Sequence, residues 1–204
     1  MRSTDVRGST SRRDFLVAAT LVAGGAVLFR FRRGRAEGVG GVAPARAAAL
    51  PSPAPDVVIV EFSAAGVRGR TVHVPKVVRP ESEWRRALSP LAFQVTRQGD
   101  TERAFSGAYW ELHAAGIFRC VCCDTALFSS AAKFDSGTGW PSFWQPIAPE
   151  NVVTHASRSA RTLESDLTCV RCDAHLGDLF DDGPRPTGLR YCIDSVALRF
   201  VKVA

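Results

Sequence analysis

Cys120-Val121-Cys122-Cys123 and Cys169-Val170-Arg171-Cys172 are the two stretches that decide how this chain folds. Each holds a C-x-x-C pair, at 120/123 and at 169/172. Such a pair sits on a tight turn whose two sulfurs can point at one centre. Two such turns supply the four thiolates of a closed tetrahedral Zn²⁺ site. The span from 123 to 169 is longer than in a small zinc ribbon. A metal here would therefore pin distant parts of one domain together and contribute directly to folding. The residues themselves leave two alternatives open: disulfides, or a redox role for one pair.

Around these pairs the chain reads as mainly β. Residues 57–60 (VVIV) and 71–74 (TVHV) look like short strands separated by a Gly-containing turn at 66–69. Residues 83–88 form a short helix candidate, with Ser82 as cap and Pro90 as stop. From Phe93 on no long helical period is visible. Short apolar or alternating runs follow at 117–121, 152–154, 162–167 and 196–203, separated by Gly, Pro and Asp clusters. That is the pattern of an antiparallel β domain.

Charge narrows the partners. The chain carries 26 basic and 20 acidic side chains, a net +6. Residues 1–47 hold nine Arg and three acids, and residues 48–204 hold 17 of each sign. The folded part thus has no net attraction for phosphate, and no nucleic-acid partner is expected.

The basic N-terminus reads as an address. Ser11-Arg12-Arg13-Asp14-Phe15-Leu16 leads into an uncharged run, residues 15–29, that is rich in Ala, Gly and Val. The run is short against the ~20 apolar residues of a membrane span and suits a signal-peptide core. Paired arginines before it resemble a twin-arginine export signal. Ala45-Arg46-Ala47 offers a cleavage site. The four arginines at 30, 32, 33 and 35 resist translocation and keep an uncleaved anchor as the alternative. The expected division is a signal over 1–47, a linker and N-terminal extension over 48–80, and the functional domain over 81–204. The expected place is periplasmic or otherwise extracytoplasmic, with membrane contact only through an uncleaved signal.

Two cysteines remain, Cys122 and Cys192. Cys122 lies inside a C-x-x-C turn and reads as a small filler. Cys192 lies in Leu189-Arg190-Tyr191-Cys192-Ile193-Asp194, at the start of an apparent strand. A strand cysteine is commonly a core residue. Residues 190, 192 and 194 share a strand face, however, and Arg190 favours the nucleophilic thiolate. An Arg, Cys and Asp on one face make Cys192 a candidate nucleophile.

The residues then match a family. Cys120-x-x-Cys123, Lys133-Phe134-Asp135-Ser136-Gly137-Thr138-Gly139-Trp140-Pro141-Ser142-Phe143, Cys169-x-x-Cys172-Asp173-Ala174-His175-Leu176-Gly177, Asp182-Gly183-Pro184 and Arg190-Tyr191-Cys192 resemble methionine-R-sulfoxide reductases of the B type, in order and in spacing. The resemblance runs from about residue 82 to 203. It implies two antiparallel sheets with short N-terminal helices in a single, zinc-stapled domain. It implies a structural zinc on Cys120, Cys123, Cys169 and Cys172. It makes Cys192 the nucleophile that attacks the sulfoxide sulfur and is left as a sulfenic acid. Trp140 and Phe143 are implied at the substrate pocket, and His175 and Arg190 around the oxygen and the thiolate. The implied partners are oxidised proteins or peptides and a thioredoxin-like or other thiol reductant, with the enzyme a monomer.

Three departures stand out. Thr138 occupies a position where the family often has a resolving cysteine; that leaves Cys122 or an external thiol to regenerate Cys192, and the external one is expected because Cys122 would have to leave a metal-bound turn. Asp178 replaces the second histidine of His-Leu-Gly-His. Asp194 replaces an asparagine. Carboxylates near a thiolate raise its pKa, yet a carboxyl with a raised pKa can itself serve as an acid. Both aspartates are therefore counted with the catalytic residues. The expectation is an enzyme slower at neutral pH, with a shifted optimum. The rival reading is a zinc-bearing binding module that has lost catalysis.

Overall fold

The structure, a computed structural model, describes residues 54–156 and 165–203. The export signal expected over 1–47 lies outside the described residues. Among those described, no helix is long and apolar enough to cross a membrane.

The β-branched run at 57–60 forms β1 (Asp56–Phe62), which pairs antiparallel with β2 (Arg68–Pro75). The turn between them closes when Ser63 Oγ accepts the Val67 N–H at 3.2 Å, with Gly66 at φ +76°. The two short strands expected at 57–60 and 71–74 thus pair as one hairpin.

The helical region differs from the expectation. α1 (Glu81–Ala87) begins two residues earlier than Ser82 capping predicts, with Pro80 at the N-cap position and no side-chain cap. A second helix, α2 (Pro90–Gln98), follows at once. Pro90 therefore starts a helix as well as bounding one. Its fixed φ and missing N–H suit the first helical position. Ser89 Oγ accepts the Ala92 N–H at 3.2 Å, and Gly99 caps the C-terminus at φ +71°. α2 buries Ala92, Phe93, Val95 and Thr96. Thr96 on the inner face, with its hydroxyl donating to Ala92 O at 2.6 Å, breaks the apolar period that would have revealed the helix.

The domain body is built from two sheets. One holds β11 (Leu198–Lys202), β3 (Gly116–Cys120) and β4 (Ala126–Ser129) in that order. The other runs β5 (Lys133–Phe134), β6 (Ser142–Phe143), β10 (Arg190–Ile193), β9 (His175–Phe180), β8 (Ser165–Cys169), β7 (Val152–Ala156). All pairings are antiparallel. With the β1–β2 hairpin the described residues form three sheets. All of them fall within one unit, Leu50–Ala204.

Rings from both body sheets meet in the core. Phe128 of β4 stacks on Phe143 of β6 at 4.5 Å, and Phe118 of β3 meets Phe143 edge-on at 5.1 Å. Each such pair adds about 0.5–1.5 kcal/mol beyond burial alone.

A buried amide, together with Arg119 of β3, whose guanidinium donates to Phe62 O at 2.6 Å, holds the hairpin to this body. Asn151, fully buried, accepts the Val60 N–H at 2.8 Å and donates to Val60 O at 2.9 Å and Ala126 O at 2.8 Å. Its side chain completes the backbone bonding of β1. Asn151→Ala strands those groups away from water and is expected to cost on the order of 3 kcal/mol. Urea denaturation checks this: a loss under about 1 kcal/mol contradicts the role.

Candidate active site

The two cysteine turns are built alike. After β3, Asp124 N–H donates to Cys120 O and Cys120 N–H to Thr125 O; after β8, Asp173 N–H donates to Cys169 O and Cys169 N–H to Ala174 O. Asp124 and Asp173 both take positive φ, 64° and 54°. The turns come from different sheets and bring Cys120, Cys123, Cys169 and Cys172 together, with all four sulfurs within 4.8 Å of one another. Cys120–Cys172 and Cys123–Cys169 are 3.6 and 3.5 Å apart. These distances are far beyond the ~2.05 Å of a disulfide. They approach the ~3.8 Å between ligands that a tetrahedron with Zn–S near 2.3 Å requires. The neighbouring thiols Cys122, Cys123, Cys169 and Cys172, with burial, push the Cys120 thiol well up. A cation at the centre would remove that obstacle to ionisation. The donor set fits a structural metal.

Cys192 sits on β10, half-buried, opposite Asp178 of β9 and Ser142 of β6. It opens onto a cavity of about 210 Å³ lined by Thr101, Trp140, Gly177, Asp178, Phe180, Cys192 and Asp194. Gly177, at φ +138°, lets β9 approach this closely, because a Cβ there would lie 2.1 Å from Cys192 O. Burial pushes the Cys192 thiol up, and Asp194 adds to the rise. Arg190 and the hydroxyls of Thr138 and Ser142 oppose it without cancelling it. Thr138 Oγ1 lies 4.0 Å from the sulfur.

Arg190 favours the thiolate, as its sequence position suggested, but it is also held elsewhere. Its guanidinium makes a two-pronged bond to Asp182 at 2.7 and 2.8 Å and lies over the Phe180 ring at 4.1 Å. Asp182 thus aims Arg190, a role no local pattern revealed.

Asp194 is almost fully buried, and desolvation, reinforced by Glu102 and Asp178, raises its carboxyl to about 7 against the opposing Glu102 N–H bond and His175. Its Oδ1 accepts the Glu102 N–H at 2.8 Å, and its Oδ2 lies 4.0 Å from His175 Nε2. His175 itself does not line the cavity; its Nδ1 contacts Asp166 Oδ1 at 2.5 Å. It approaches the site through Asp194.

Trp140 walls the cavity, and its Nε1 donates to Glu102 O at 3.1 Å. Phe143 is not brought there. It is fully buried in the aromatic core, next to Ser142 and behind the site. Phe180 supplies the second aromatic wall instead.

Glu102 is the residue that sequence reasoning missed most completely. It is 2% exposed, and its carboxylate accepts Ser195 N–H at 2.7 Å and Val196 N–H at 3.1 Å. Side chain and backbone together tie Trp140, Asp194 and the turn after β10 into one unit. Cys122 faces α2, with its sulfur 3.5 Å from Thr96 Oγ1, and is not among the cavity's lining residues. A larger hollow of about 530 Å³ lies under the β1–β2 hairpin, but its one thiol, Cys123, belongs to the metal cluster.

Residues 88–202 match the SelR domain. The chain is 50% identical over 131 residues to a protein of Synechococcus sp. (strain RCC307) named peptide methionine sulfoxide reductase MsrB, covering 64% of this chain and 96% of that relative. An MsrB of Herminiimonas arsenicoxydans is 51% identical over 125 residues, 61% and 91% of the two chains. A chloroplastic peptide methionine sulfoxide reductase of Arabidopsis thaliana is 53% identical over 120 residues, 58% of this chain and 59% of that one. On its motifs, its cavity and these relatives, the chain belongs to the SelR-domain family of MsrB-type peptide methionine sulfoxide reductases, oxidoreductases that act on sulfur.

Proposed function

We propose that this enzyme reduces methionine-R-sulfoxide in oxidised proteins, with Cys192 as the nucleophile and Asp194 as the proton donor. The observation that carries the reading is a half-buried thiol at the wall of an aromatic-lined cavity, beside a buried carboxyl raised to about 7. The substrate methyl group packs between Trp140 and Phe180. The Cys192 thiolate attacks the sulfoxide sulfur while Asp194 gives a proton to its oxygen. The oxygen then passes to Cys192. The methionine sulfur gains two electrons and leaves as thioether, and Cys192 loses two and becomes a sulfenic acid. A thiol reductant attacks the sulfenic sulfur and releases water; a second thiol breaks the mixed disulfide and restores Cys192. Thr138 offers no thiol for this, so the reductant is external and thioredoxin-like or smaller.

A structural zinc on the four clustered thiols would clamp the two sheets and takes no part in the reaction. The paired arginines at 12 and 13 and the apolar run after them support export to an extracytoplasmic space.

The pH dependence follows from the pair. Attack needs Cys192 deprotonated, and protonation of the oxygen needs Asp194 protonated. With Asp194 near 7 and Cys192 above its ordinary value, the productive form grows with pH up to about 7 and then levels off, because each gain in thiolate is matched by a loss of acid. Glu102, His175, Asp178 and Cys192 are the ionisable groups around Asp194. Asp194→Asn is expected to lower the rate at pH 6–7 by roughly a hundredfold. Its rate should keep rising with pH beyond 7.

Stability shifts as well. An aspartate whose folded value is raised destabilises the fold once pH exceeds its unfolded value, fully above about 7. Asp194→Asn is therefore expected to be more stable than wild type at pH 8, by up to about 4 kcal/mol, and not at pH 4. Rate profiles and denaturation across pH check both; identical profiles for the two proteins contradict the assignment of Asp194.

A further inference from the structure

The cavity, at about 210 Å³, is smaller than the ~300 Å³ at which sites for whole small molecules begin. It takes one side chain, so the residues flanking a methionine sulfoxide must lie on its rim. The segment after α2 forms that rim: Thr101 lines the cavity, and Glu102 holds Trp140 and Asp194.

Three residues beyond Glu102 stands Phe105. It is 56% exposed, although it is a large aromatic, and its backbone takes φ +62°, a region that bulky residues rarely adopt. Its N–H donates to Gly139 O at 2.9 Å, and its ring packs over Gly139, where an added Cβ would come within 2.8 Å of it. Gly139 lies between Thr138, beside the Cys192 sulfur, and Trp140, the cavity wall. The Trp110 ring braces Phe105 edge-on at 5.2 Å, and Lys133 Nζ anchors Trp110 through its carbonyl at 2.8 Å. An exposed aromatic surface is thus fixed in place against Gly139, the residue before the cavity wall Trp140.

We propose that Phe105, braced by Trp110, receives the apolar side chain next to methionine sulfoxide in an unfolded polypeptide. The enzyme then selects oxidised methionines in apolar segments, the kind a folded protein buries and an oxidatively damaged one exposes. The inference rests on the reductase reading above.

The test uses the full chain with dithiothreitol, so that docking of a protein reductant does not enter. Two blocked pentapeptides carry a central methionine-R-sulfoxide, one flanked by leucines and one by serines. Wild type is expected to favour the leucine peptide in kcat/KM by about fivefold. Phe105→Asn, which tolerates the left-handed backbone and removes the ring, is expected to bring that ratio near one. The ratio is unaffected by a general loss of folded enzyme, since both peptides use the same chemistry. A wild-type ratio near one, or a ratio kept in Phe105→Asn, overturns the rim assignment while leaving reduction intact. Failure to reduce either peptide overturns the reductase reading and this inference with it.

Discussion

Cys192→Ser is expected to lose about a thousandfold or more of the methionine-R-sulfoxide reductase activity, whichever thiol reductant is supplied. Serine keeps the shape of the β10 position and its neighbours on β6 and β9. What it removes is the polarisable sulfur that can ionise near neutral pH and accept an oxygen atom. No other thiol replaces it: Cys122 faces α2, and the remaining four belong to the metal cluster. The same reasoning sets a stoichiometry. With no reductant present, wild type should form about one methionine per chain and stop, with Cys192 carrying one extra oxygen by mass. Since Thr138 occupies the neighbouring position, no internal disulfide should accompany it. Multiple turnovers without added thiol would show that a second cysteine regenerates the first.

The second large effect concerns the metal cluster. Purified protein is expected to hold about one zinc per chain, and Cys169→Ala close to none. Cys169 is fully buried at the end of β8, and its partners include Cys120 and Cys123 from the other sheet. Losing the metal unties the sheets and leaves crowded thiols in the core. A cost on the order of 5 kcal/mol corresponds to a fall in Tm of about 10–20 °C for a chain of this size. Cys122→Ala, outside the cluster, should keep its zinc and most of its stability. Metal analysis with thermal denaturation decides the matter: wild type without zinc, or Cys169→Ala melting with wild type, contradicts the clamp.

How much of this the sequence revealed depended on how local each signal was. The cysteine pairs were legible because their spacing is a property of four consecutive residues, and their two turns fold with the same hydrogen bonds. The strands at 57–60, 71–74, 117–121 and 152–154 were legible from alternation and β-branching, and they lie within β1, β2, β7 and, but for its last residue, β3. α2 was hidden because Pro90 serves both as a boundary and as a first helical residue, and because Thr96 interrupts its inner face. In the site, Cys192, Asp194, Asp178 and Trp140 all meet at the cavity. Phe143 does not, because its neighbour Ser142 pairs with Cys192 while its own ring turns into the core. Glu102 and Asp182 escaped notice for different reasons. Glu102 acts on residues more than ninety positions away, a proximity no local pattern records. Asp182 stood in a recognised motif, but only the folded β9–β10 connection shows it aiming Arg190.

The most direct test of the central claim is a stereospecific assay. Purified R- and S-epimers of a blocked methionine sulfoxide are given to wild type and to Cys192→Ser with dithiothreitol, and methionine is counted. Reduction of the R-epimer alone, lost in Cys192→Ser, is the predicted result; reduction of the S-epimer alone, or activity that survives the substitution, contradicts it.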